Sequence, residues 1–234
     1  MHVLICHNVE KLGFLSGIFH GAAMTLTLEK VKKWYEQSDS AHDFEHARRV
    51  YLMAEKMAEA EGADLEIVRA AALLHDVRGG EPGGEGRDKH HLLSASFAGE
   101  ALAAEGWPAE RIAEVQHCIR SHRFRSSESP STIEAKVIFD ADKIDVIGAT
   151  GAARTIAFSV HAGEPIFAEP SQQFLQRGEK EPGEPHSAYH EFVFKLRRIK
   201  DRLLTKSGRA LAAERHKRLV EFFEQLAAEM RGDA

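Results

Sequence analysis

The sequence predicts an all-α protein, and three observations carry the prediction. From Leu26 onward apolar residues recur three and four apart, the spacing of one helical face. No stretch shows the apolar–polar alternation of a half-buried strand. Helix-boundary residues stand where the periodic stretches begin and end: Gly62, Asp64 and Pro108.

The clearest helix spans about 43–61, where Phe44, Ala47, Tyr51, Ala54 and Ala58 form a stripe broadened by Val50 and Met57, and Gly62 stops it. The next begins at Asp64, an N-cap residue, and carries Leu65, Val68, Ala71, Ala72 and Leu74 up to His75-Asp76. Residues 78–90 hold five glycines and a proline, which predicts a flexible loop directly after that pair. Further helices are expected at about 91–105, 109–122, 132–158, 187–205 and 208–231. The stretch 159–186, rich in Gly, Pro, Glu and Gln, reads as a long excursion or lid.

At 43% hydrophobic and 29% charged, the 234 residues have the composition of a folded globular chain rather than a disordered one. No Pro/Ser-rich linker divides them, so one domain over 25–232 is expected. Residues 1–24, with a second methionine at Met24, read as a poorly ordered arm or an extended start. A net charge of −5 offers no basic stripe for a nucleic-acid polymer, so any nucleotide-like partner should be small. Cys6 and Cys118 have no metal-type or disulfide-framework spacing. With no apolar run of 18 residues and no signal-peptide pattern, neither a membrane partner nor export is expected, and the expected location is the cytoplasm. The sequence does not specify an oligomeric state.

The chemistry is concentrated in histidine. Seven of the 14 fall between positions 42 and 122: His42, His46, His75, His90, His91, His117 and His122. Imidazole and carboxylate ligands together suit a divalent ion with open water positions, the equipment of Lewis-acid hydrolysis. His46 extends the buried stripe of Val50, Met53 and Met57, which aims it inward. Asp76 closes the apolar run AALLHDV, where a carboxylate is costly without a compensating cation or hydrogen bonds. Asp140, Asp142 and Asp145 sit in another apolar helical run and need partners of their own.

His46-x-x-Arg49-Val50, then LLHD with His75 and Asp76, then Asp142 in DADKIDVIGA, in that order on helices, resemble the HD superfamily of metal-dependent phosphohydrolases. The resemblance runs from about Thr25 to Glu229 and is strongest to the small bacterial single-domain branch, some members of which are nucleotide pyrophosphohydrolases. It implies one divalent ion, manganese first and magnesium, nickel, cobalt, iron or zinc as alternatives, on His46, His75, Asp76 and Asp142. It implies a metal-bound hydroxide as nucleophile and a small phosphorylated substrate, a nucleotide above all. Asp76 is thereby both ligand and catalytic residue.

Around that set, His91 and His122 at helix ends are candidates for contact with phosphate or a second ion. His42 and Asp145 are expected to orient ligands, and His90 and His117 match no motif. Arg49 and Lys143 are candidate substrate contacts, with Lys195 and Arg198 from a later helix. A general acid is sought among Glu81, Glu85 and Asp88 of the glycine-rich loop, with Glu85 put forward. Two other readings stay open: a di-iron oxygenase of the same superfamily, and a nucleotide sensor without turnover.

Overall fold

A computed structural model describes residues 26–35, 44–79, 88–124 and 127–233. The proposed arm at 1–24, His42, Glu81 and Glu85 lie outside the described residues.

Every regular element among the described residues is helical. A short α1 (Leu28–Lys32) runs into a 3-10 turn at Lys33–Tyr35, followed by α2 (Phe44–Glu61) and α3 (Leu65–Leu74). α4 (His90–Ala104), α5 (Ala109–Ser121), α6 (Ile133–Asp145) and α7 (Gly148–His161) come next. The chain ends with α8 (Gln172–Arg177), α9 (Ala188–Phe194), a 3-10 stretch at Leu196–Arg202, and α10 (Lys206–Arg231). α2 packs on α3 and α6, α4 on α5, and α7 on α10. The core between them includes Val50, Met57, Ile67, Leu74, Leu102, Ile119, Ile138, Ile144, Leu219 and Phe223, all at most 3% exposed and so removed from water.

The expected boundaries of α2 and α3 hold for the expected reasons. Gly62, at φ 70°, takes the left-handed conformation that ends α2. The Asp64 carboxylate accepts from the amides of Glu66 and Ile67 at 2.9 and 3.1 Å, satisfying the first donors of α3.

Two expected helices are broken, each by a contact from a distant element. The single helix expected over 132–158 divides into α6 and α7 at Gly148, whose φ of 81° a side chain would rarely adopt. A Cβ there would also meet the Arg215 side chain at 3.1 Å, and Arg215 donates to the Ile144 carbonyl at 3.0 Å, satisfying the C-terminal turn of α6. The helix expected over 187–205 stops after Phe194 and continues as a 3-10 stretch. Asp140, fully buried in α6, explains where it ends: its carboxylate accepts the Leu204 amide at 2.9 Å, the Thr205 amide at 2.7 Å and the Thr205 hydroxyl at 2.6 Å. Thr205 is thereby held as the N-cap of α10, accepting the Gly208 amide at 3.0 Å.

The excursion expected over 159–186 is folded rather than open. Glu184 accepts the Ser171 amide and hydroxyl, each at 2.7 Å, and contacts the buried His190 at 3.0 Å. The Ala188 and Tyr189 amides reach the carbonyls of Pro165 and Ile166 at 3.3 Å each, fastening the excursion to the start of α9.

Candidate metal centre

The site lies where α2, α3, α5 and α6 meet the start of α4. α2 contributes His46 from its first turn, with the ring on the face that Val50, Met53 and Met57 bury further along, as its sequence position requires. α3 ends at Leu74, so His75 is its C-cap and Asp76 lies in the following turn. α5 delivers His122 from the same position, its own C-cap. α6 supplies Asp142 and Asp145 from successive turns.

The two C-cap histidines are oriented by one device. The last carbonyls of a helix have no amide partner within it. His75 Nδ1 donates to the Ala72 carbonyl at 2.9 Å, and His122 Nδ1 donates to the Ile119 carbonyl at 2.6 Å. Each bond commits the Nδ1 proton and turns the lone pair of Nε2 toward the centre. The C-terminal ends of α3 and α5, carrying partial negative charge, therefore point at the same place. His46 is fixed from the other side, its Nδ1 donating to Asp145 Oδ2 at 2.8 Å. Asp145 is completely buried and is held by Arg49, through Nε at 2.8 Å and Nη2 at 3.0 Å, and by Arg154 at 2.6 Å. Burial pushes the Asp145 carboxyl up, but the hydrogen bonds and charges of His46 and Arg49 outweigh it and hold the group far below the usual carboxylate range.

These constraints leave electron pairs facing electron pairs. His46 Nε2 stands 3.2 Å from His75 Nε2, 3.4 Å from Asp142 Oδ1 and 3.6 Å from Asp76 Oδ2. The other Asp76 oxygen, Oδ1, lies 3.5 Å from both His90 Nε2 and His122 Nε2, which are themselves 3.3 Å apart. That Oδ1 is buried without a hydrogen-bond partner, an arrangement costly for a carboxylate unless a cation compensates. The donors thus fall into two groups of ligating geometry, His46 with His75 and Asp142, and Asp76 with His90 and His122. Asp76 presents one oxygen to each. Imidazole and carboxylate donors of this kind fit divalent ions of the manganese, iron or zinc type.

Without a metal ion, the surrounding carboxylates favour a proton on His46. Burial opposes charge on His46, yet hydrogen bonds to Asp142 and Asp145, with the charges of Asp142 and Asp76, raise it to about 9. Burial drives His75 down to about 4, so the neutral ring accepts from its neighbour.

The structure brings together His46, His75, Asp76, Asp142 and His122 of the residues chosen from sequence. Beside the four ligands expected for one ion, the fold assembles a second candidate group, Asp76 with His90 and His122, while Asp76 Oδ2 also lies 3.6 Å from His46 Nε2 and 3.5 Å from His75 Nε2. His90, which matched no motif, supplies one of the two nitrogens of the second group, while His91 lies beside it at 5.6 Å between ring centroids with its Nδ1 buried and unpartnered. Adjacent residues of a helix point about 100° apart, so only one of the pair faces the centre, and the rotation of α4 selects His90. A His-His pair opening a helix was the available signal.

Arg49 clamps Asp145 on the far side of the His46 ring from the ligand groups, so its observed contact is with a supporting residue. Arg154, which the sequence reading did not single out, shares that task. Lys143 places its ammonium against Asp142, at the centre's edge. Lys195 instead pairs with Glu191 at 3.3 Å, its side chain 65% exposed, and has no contact with the ligand groups. Asp88 pairs with Arg123 at 2.7 Å. His117 is bound to Glu128 and Ser131, away from the centre.

A buried, helix-mounted set of imidazoles around a doubly presented aspartate defines a metal-binding centre of the HD type. The HD-domain model matches residues 43–147, an interval containing all six candidate ligands, and the chain belongs to the HD-domain family. It is 33% identical over 212 residues to the Bacillus subtilis protein YpgQ, an alignment covering 87% of this chain and 94% of that one. The crystal structure of YpgQ in complex with ADP superposes with a TM-score of 0.69 at 32% identity, over 89% of this chain and 100% of that one. An HD-superfamily hydrolase from Bacillus thuringiensis superposes with a TM-score of 0.65 at 28% identity, over 87% and 94% of the two chains. The fold is therefore that of the HD-superfamily hydrolases.

Proposed function

We propose that this protein is a metal-dependent phosphohydrolase acting on a small nucleotide, with two divalent ions, manganese by preference, shared across Asp76. The observation that carries the reading is the Asp76 carboxylate, buried, with one oxygen in each ligand group and Oδ1 unpartnered. Divalent ions held there supply Lewis acidity, lowering the pKa of coordinated water and neutralising charge that builds on phosphoryl oxygens.

The chain's own residues do the rest. The carbonyls of Ala72 and Ile119 hold His75 and His122 in the ligating tautomer. Asp145, clamped by Arg49 and Arg154, does so for His46. Lys143 offers an ammonium beside Asp142, where it can turn to a phosphate oxygen. His91 and Lys195 take no part in this reading, and a general acid from the segment containing Glu85 remains part of it as a separate proposal. The ADP complex of YpgQ supports a nucleotide as ligand class, and the chain's acidic balance supports a small one.

The test is a product screen. Metal-stripped protein, reloaded with manganese, magnesium, nickel or cobalt, is given nucleoside mono-, di- and triphosphates, and orthophosphate and pyrophosphate are measured. Pyrophosphate from a triphosphate identifies a pyrophosphohydrolase, orthophosphate identifies a phosphatase, and neither product with any metal refutes the reading.

The doubly presented carboxylate also favours a second reading, a di-iron oxygenase. That reading requires iron and oxygen consumption, so equal turnover with manganese under anaerobic conditions excludes it.

A further inference from the structure

Beside the ligand groups lies a set of side chains that metal binding does not use. Phe124 follows His122 by two residues and is 39% exposed, a large apolar surface left open next to a polar centre. Its ring is oriented from behind by the buried Phe139, edge to face at 5.0 Å between centroids and 90° between planes. The Lys143 ammonium, in contact with Asp142, stands 5.1 Å from the Phe124 centroid and 5.5 Å from that of Phe139. From the 3-10 stretch after α9, the Arg202 guanidinium stands 5.2 Å from the same ring.

Arg202 has no carboxylate partner among the described residues, whereas Lys195 pairs with Glu191 and Arg197 with Glu224. Nor is it closed down on the ring: Arg78 lies 3.7 Å from the centroid of Phe97, the spacing of direct stacking. An exposed, oriented aromatic ring thus has two cations within 5.2 Å of its centroid, a guanidinium without a carboxylate partner and an ammonium that leads to the ion ligands. A nucleobase matches the ring because every base has a π-face, and a phosphate chain matches the two cations.

We propose that Phe124 and Arg202 form the nucleoside-binding subsite of this centre, so that a nucleoside diphosphate stacks its base on Phe124 and directs its phosphates past Arg202 and Lys143 to the ions. The inference rests on the nucleotide reading above and adds residues that select a nucleotide over a bare phosphate.

The experiment is calorimetric titration of the manganese-loaded protein with ADP and with inorganic pyrophosphate, its base-free counterpart. Phe124→Ala is expected to weaken ADP about tenfold to a hundredfold while changing the pyrophosphate Kd by less than about twofold, and Phe124→Trp to restore ADP affinity. If Phe124→Ala does not fold, Phe124→Leu keeps contact with Phe139, removes the flat ring and gives the same comparison. Equal weakening of both ligands, or unchanged ADP affinity, overturns the proposal. Failure here with nucleotide hydrolysis intact removes the subsite alone. Selective loss of ADP without hydrolysis by any metal-loaded form keeps the subsite and removes the phosphohydrolase reading.

Discussion

His46 faces His75 nitrogen to nitrogen, Nε2 to Nε2 at 3.2 Å, and each ring has its other nitrogen engaged elsewhere. Two neutral imidazoles so constrained repel each other, so the pair requires a cation between them, either a proton or a metal ion.

That requirement sets the pH response of the metal-free protein. His46, raised from 6.5 to about 9, contributes stability that is fully present below about 6.5 and lost as pH rises through about 9, on the order of 3 kcal/mol. His75, lowered from 6.5 to about 4, acts oppositely: its contribution is present above 6.5 and is lost as pH falls through about 4. In chelator, the melting temperature should peak near pH 6.5, and manganese affinity should rise toward pH 9 as the His46 proton is displaced. A melting temperature that climbs steadily from pH 6 to 9 in chelator contradicts the shared-proton arrangement.

Asp76 is the hinge of the stoichiometry. Metal analysis after dialysis should find two ions per wild-type chain. His122→Ala should retain one, on His46, His75 and Asp142, whereas Asp76→Ala should retain little of either. One ion in the wild type, or two in His122→Ala, would show that the second group does not bind metal.

Asp145 touches no ion in this account; it orients His46. Asp145→Asn keeps the shape, removes the charge and should weaken metal binding about 10- to 100-fold. It should also lower the pH at which His46 titrates, observable in the imidazole NMR signal, because the hydrogen bond and charge that raise it are lost. An unshifted titration would assign Asp145 to structure alone.

The same helix carries a carboxylate with a purely structural task. Asp140→Ala strands the Leu204 and Thr205 amides and should cost about 2–3 kcal/mol of stability, read by denaturant unfolding. Its metal content should equal the wild type's.

These three aspartates mark the limit of what the sequence reveals. Apolar periodicity was sufficient to place α2 and α3 and the inward aim of His46, because one buried face is a local property of the chain. The tasks of Asp140, Asp142 and Asp145 depend on which distant element meets each: Thr205, the ion ligands, or Arg49 with Arg154. The break at Gly148 was equally hidden, since the Arg215 side chain that crowds it comes from α10. His90 was missed because the rotation of α4, rather than residue type, decides which member of the His90-His91 pair faces Asp76.

Titrating manganese into the stripped protein while following phosphate or pyrophosphate release from nucleoside triphosphates reads ion stoichiometry and turnover together. Release should rise to a plateau at two ions per chain and be absent from Asp76→Ala. No release at any manganese level, or undiminished release by Asp76→Ala, would contradict a two-ion phosphohydrolase built on that carboxylate.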